Sequence, residues 1–66
     1  MEMKEKVEKA FFYMIEQKDK GIKFISPTEI GQIFGGRDSS FGSPICKRMV
    51  ELGLAERNSR GQYRIL

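Results

Sequence analysis

The chain has no histidine and a single cysteine, Cys46. A metal site of His and Cys ligands within one chain is therefore excluded, as is an intrachain disulfide. Every catalytic scheme that needs a histidine base goes with them. No charge-free apolar run approaches the roughly 20 residues of a membrane span. The opening stretch MEMKEKVEKA is charged throughout and lacks the apolar core of a signal peptide. No segment pairs carboxylates for acid and base work, so no enzymatic mechanism suggests itself. The expectation is a cytoplasmic, reduced protein without metal, cofactor, membrane contact or enzymatic activity.

Length is also short. At 66 residues the chain is one domain near the lower limit for an unaided core, burying only about 60% of its unfolded surface. A cleft enclosing a substrate is not expected. Apolar residues make up 39% of the sequence and recur at regular spacing, which argues for a folded chain.

What charge there is lies unevenly. Net charge is +3, yet residues 1–30 balance six lysines against six acids. Residues 31–66 set Arg37, Lys47, Arg48, Arg57, Arg60 and Arg64 against Asp38, Glu51 and Glu56. All the arginines lie in this second half. A planar guanidinium suits phosphates and guanine edges, whereas lysine often serves only solubility. This asymmetry points to an anionic partner.

The stretch SSFGSPICKRMVELGL, Ser39 to Leu54, organises the rest. Read as a helix over about 40–52, it gathers Gly42, Ile45, Cys46, Met49 and Leu52 in one arc about 120° wide. Ser40, Ser43, Pro44, Lys47 and Glu51 lie opposite, with Arg48 on the flank. Spacing back to Gly42 favours Ser39 or Ser40 as cap; Ser43 is the alternative, which would make Pro44 the first helical residue. Gly53 is the stop. Cys46 and Phe41 are expected in the core.

Before it, residues 2–17 form a first helix on Met3, Val7, Ala10, Phe11, Met14 and Ile15. Phe12 and Tyr13 fall off that stripe, so the helix is either touched on two sides within the core or dimerises through them. Residues 22–25 read as a short strand with Phe24 as its core contact. Ser26 caps a second helix, 27–34, with Pro27 at its first position and Glu29 closing a capping box. Ile30, Ile33 and Phe34 give its stripe, and Gly35-Gly36 end it. Residues 54–66 form a hairpin about Asn58-Ser59-Arg60-Gly61, with Tyr63 and Ile65 inward. Two such short strands are marginal alone, so pairing with 22–25 is expected to complete a three-stranded antiparallel sheet.

That order, with ISPTEIGQIFG followed by SSFGSPICKRMVELGLAERNSRGQYRIL, resembles the winged helix-turn-helix DNA-binding domains of small bacterial and archaeal transcription regulators. The matching features are the capped second helix, the Met-Val-x-Leu-Gly-Leu ending of the third, and the basic hairpin with its Tyr-Arg-Ile return strand. They span nearly the whole chain. The resemblance implies an α+β winged-helix fold and a regulator bound to double-stranded DNA. Its third helix would enter the major groove through Ser40, Ser43, Pro44, Lys47 and Arg48. Its wing tip, Arg57, Asn58, Ser59 and Arg60, would lie on backbone or minor groove. Ser26 and Thr28 would offer donors to phosphate and Arg37 would touch backbone. Glu51 departs from this pattern, since an acid on the outer face repels phosphate. A module this small contacts few base pairs, so a homodimer is expected, with Phe12 and Tyr13 as candidate contacts. The alternative is a winged-helix adaptor that docks other proteins without binding DNA.

Overall fold

A computed structural model describes residues 2–66 as three helices and one hairpin. The elements are α1 (Met3–Asp19), α2 (Pro27–Gln32), α3 (Ser39–Glu51), β1 (Ala55–Arg57) and β2 (Tyr63–Ile65). The chain is thus a small α+β domain whose sheet has two antiparallel strands. Ala55 faces Ile65, Glu56 faces Arg64 and Arg57 faces Tyr63. No helix is long and apolar enough to cross a membrane among the described residues.

The expected third strand, 22–25, is reduced to one residue. Ile25 and Tyr63 exchange both backbone hydrogen bonds, each 2.8 Å long, and nothing before Ile25 joins the ladder. The end of α1 explains this. The Gly21 N–H donates to the Lys18 carbonyl and the Ile22 N–H to the Gln17 carbonyl, both at 2.9 Å, with Gly21 at φ +91°. Those two bonds are a Schellman closure. They take the Ile22 N–H into the helix end, where it is not free to join the ladder. The side-chain register also differs from expectation. Ile25 points inward at 1% exposure and Phe24 outward at 40%, beneath the Arg64 guanidinium at 5.8 Å. Alternation along extended backbone forces that choice once Ile25 faces the core.

Ser26 caps α2 as its spacing predicts, accepting from the Glu29 N–H at 3.2 Å. The Glu29 carboxylate does not close the box; it accepts the Tyr13 hydroxyl at 2.5 Å and so ties α2 to α1. The helix ends at Gln32, earlier than residue 34, because its last turn tightens. Phe34 and Gly35 donate to Gly31 and Gln32, three residues back, each at 3.0 Å.

Asp38, and not a serine, caps α3, accepting from the Ser40 N–H at 2.9 Å and the Ser40 hydroxyl at 2.5 Å. Pro44 consequently falls inside the helix, where its missing N–H leaves the Ser40 carbonyl without an intrahelical partner. That carbonyl sits in an exposed turn, where water can serve it. Helix α2 crosses α3 at Gly31 and Gly42, so closely that a side chain on Gly42 would strike the α2 backbone.

The core joins Val7, Ala10 and Met14 of α1 to Ile30 of α2 and to Ile45, Cys46 and Met49 of α3, with Ile25, Ala55 and Tyr63 closing it from the hairpin side. Leu52, on the apolar arc of α3, lies 49% exposed beyond the end of this core. Phe41 is also more exposed than expected. Its ring packs at a tilt against Phe34 with centroids 5.5 Å apart, and the Lys6 ammonium lies over it at 5.1 Å from the centroid.

Candidate nucleic-acid interface

The outer face of α3 and the inner face of the hairpin enclose an open cleft of about 720 Å³. Ser43, Lys47, Val50 and Glu51 line it from α3, Arg57 and Gly61 from the hairpin, and Pro27 from α2; buried Tyr63 forms its floor. Helical geometry puts Ser43, Lys47, Val50 and Glu51 on one side, since Lys47 lies four residues after Ser43 and three and four before Val50 and Glu51. On the hairpin, the Arg57 guanidinium lies against Gly61, where an added Cβ would be 3.4 Å from its Nη2. Lys47 and Arg57 therefore present two cations to one concavity.

The remaining basic residues divide. Arg64 forms a cross-strand ion pair with Glu56, and Arg48 lies 3.9 Å from Glu51 one helical turn on. Both pairs are exposed and worth little in stability, but each offsets a cation locally. Among the described residues Arg37, Lys47, Arg57 and Arg60 have no ion-pair partner. Arg48 does not line the cleft. It lies on the opposite flank of α3, beside α1. Lys47 and Arg48, adjacent in sequence, thus serve different faces.

Several expected contact residues are occupied within the chain. Asn58 holds the hairpin tip, with Oδ1 accepting from the N–H groups of Arg60 and Gln62 at 2.9 Å and Nδ2 donating to Gln62 Oε1 at 3.1 Å. This fixes Ser59 and Arg60 as exposed residues at the apex. The Ser26 and Ser40 hydroxyls serve the caps of α2 and α3. Thr28 is half-buried in α2, Arg37 is exposed in the connection, and Pro44 is exposed on α3 without lining the cleft.

Asp38 is the residue that pattern reading missed. Its carboxyl is held below the usual carboxylate range by the Ser40 hydroxyl and N–H, so an anion already occupies the α3 N-terminus. The preference for Asp at N-caps was the available signal. Val50 was missed too; it lies on the Ser43 and Lys47 side and is exposed there.

No group of three or more Cys, Asp or Glu residues is placed to hold a metal ion among the described residues. Buried Cys46 has its thiol pushed up to about 11 by loss of solvation, which leaves it an unreactive thiol at neutral pH. Comparison with protein-family models, with curated proteins and with solved structures found no match.

Proposed function

We propose that the chain is a winged-helix DNA-binding protein acting in transcription regulation. Helix α3 enters the major groove and the β1–β2 hairpin is the wing. The observation that carries this reading is the shared cleft: Lys47 and Arg57 come from different elements and converge on one concavity without an acidic ion-pair partner. A phosphodiester strand running between helix and wing would meet both cations. Ser43 and Val50 sit beside Lys47, a hydroxyl and an apolar surface suited to base edges and to a thymine methyl. Arg60 at the apex reaches backbone or minor groove, and Arg37 adds a backbone contact outside the cleft.

Glu51 favours a second reading. A carboxylate in the cleft, with Asp38 at the α3 N-terminus, suits a protein partner better than a phosphate, as in a winged-helix adaptor. The two readings part in one experiment. Binding to random-sequence duplex DNA is measured across a salt series for wild type, Lys47→Ala and Arg57→Ala/Arg60→Ala. Affinity that falls with salt, with a shallower slope in each variant, supports the DNA reading. A folded wild type that fails to bind at low salt removes it, because the sequence-independent electrostatic term needs no particular operator.

A further inference from the structure

Across α3 from Lys47, a second groove of about 470 Å³ runs between the first turns of α1 and the end of α3. Val7 and Leu54 form its floor, and Met3 and Leu52 stand on either side, 38% and 49% exposed. Its rim carries Lys4 and Glu8 from α1 and Arg48 from α3. Lys4 and Glu8 are one helical turn apart, yet among the described residues neither takes part in an ion pair. Lysine preceding glutamate is the weaker orientation for such a pair within a helix. Both charges therefore remain available beside an uncovered apolar surface.

We propose that a second copy of the chain covers this groove in a twofold homodimer. The α1 helices run antiparallel, with Lys4 of each copy against Glu8 of the other, and with Arg48, 3.9 Å from Glu51 of its own chain, flanking that contact. An isologous interface must be its own complement, and a rim holding both signs around an apolar centre meets that condition. Charge also argues against the other exposed face of α1. An antiparallel pairing centred on Phe12, the most exposed aromatic of that helix at 66%, would set Glu8 against Glu16 and Glu5 against Asp19. Like charges so placed disfavour that pairing. The groove leaves the Lys47 cleft open, since the two lie on opposite flanks of α3. Association does not rest on DNA binding, and is read in DNA-free solution so that either idea can fail alone.

The test is sedimentation equilibrium of the full chain from micromolar to millimolar protein. Wild type is expected at twice 7.6 kDa. Lys4→Glu and Glu8→Lys, each at an exposed helical position, weaken self-association about tenfold or more. Mixed together they form a heterodimer, because each chain then supplies the charge its partner lacks. Leu52→Asp is monomeric and Phe12→Ser remains dimeric. If Leu52→Asp does not fold, the mixed charge variants decide. A wild type monomeric at millimolar concentration overturns the proposal, as does a mixture that fails to associate or a Phe12→Ser variant that falls apart.

Discussion

A Cβ placed on Gly42 would lie 1.8 Å from the carbonyl oxygen of Pro27. That single approach sets how α3 is aimed. Neither atom can yield, because one belongs to the first turn of α2 and the other would be fixed to the middle of the first half of α3. Gly31 answers from the other helix, where a Cβ would meet the Asp38 carbonyl oxygen at 2.9 Å. Two glycines at one crossing let backbone rest on backbone.

Gly42→Ala should therefore unfold the domain or force the helices apart, at a cost of about 3 kcal/mol or more. Against a total stability of about 5 kcal/mol for a domain this small, only about 2 kcal/mol would remain, and the melting temperature should fall by more than about 10 °C. Gly53→Ala is the control. It has positive φ (+75°) but open space around it, so it should cost only about 1 kcal/mol. Thermal melts followed by circular dichroism separate the two. Equal melting temperatures would mean that the crossing is looser than described.

The Tyr13–Glu29 hydrogen bond should make stability sensitive to alkaline pH. Donation to Glu29, then burial and the negative charge of Glu29, push the Tyr13 hydroxyl up to about 12 from its ordinary value near 10. A raised value means the folded state holds this proton more tightly than the unfolded chain. The stabilisation is present in full below about pH 10 and is lost as pH rises through about 12. Cys46, raised to about 11 by burial, adds a fall that begins lower. Tyr13→Phe should cost about 1 kcal/mol at neutral pH and flatten the upper part of the decline. Denaturant midpoints measured from pH 7 to 12 check this; an unchanged slope above pH 10 in the variant would sink it.

Where local sequence was decisive, reading it was enough. Ser26-Pro27 places the start of α2, Gly53 stops α3, and the Asn58 to Gly61 tip closes the hairpin. Each rests on residues adjacent in sequence, whose backbone preferences leave few alternatives. The third strand was a tertiary matter. Ile22-Lys23-Phe24-Ile25 alternates well enough for a strand, but the closure of α1 takes the Ile22 N–H, and only Ile25 reaches Tyr63. Competition for Glu29 was equally invisible, since Tyr13 lies 16 residues away. For the cleft, helical spacing grouped Ser43 with Lys47. It could not show that Arg48, one residue on, faces α1, nor that Arg57 lies against Gly61.

Cys46 should act as a reporter of opening. It is completely buried in the core. A thiol reagent at neutral pH should label it only when the domain unfolds, so that labelling rate and global stability change together across variants. Gly53→Ala should then accelerate labelling about fivefold, as 1 kcal/mol implies. Labelling of wild type at the rate of a free thiol would contradict the described packing.

Adjacent residues on α3 should separate by function. Lys47 lines the cleft and Arg48 the groove beside α1. Lys47→Ala should weaken binding to duplex DNA uniformly across sequences and lower the salt slope by about 1. Arg48→Ala should leave that slope nearly unchanged and weaken self-association instead. Glu51→Gln gives the opposite sign to Lys47→Ala: removing the cleft's carboxylate should raise affinity for any duplex, most at low salt, where repulsion between Glu51 and phosphate is least screened. Titrations at two salt concentrations, on protein whose oligomeric state is known, measure all three. Equal losses from Lys47→Ala and Arg48→Ala would show DNA crossing the α3 surface on both flanks, a path the cleft does not describe.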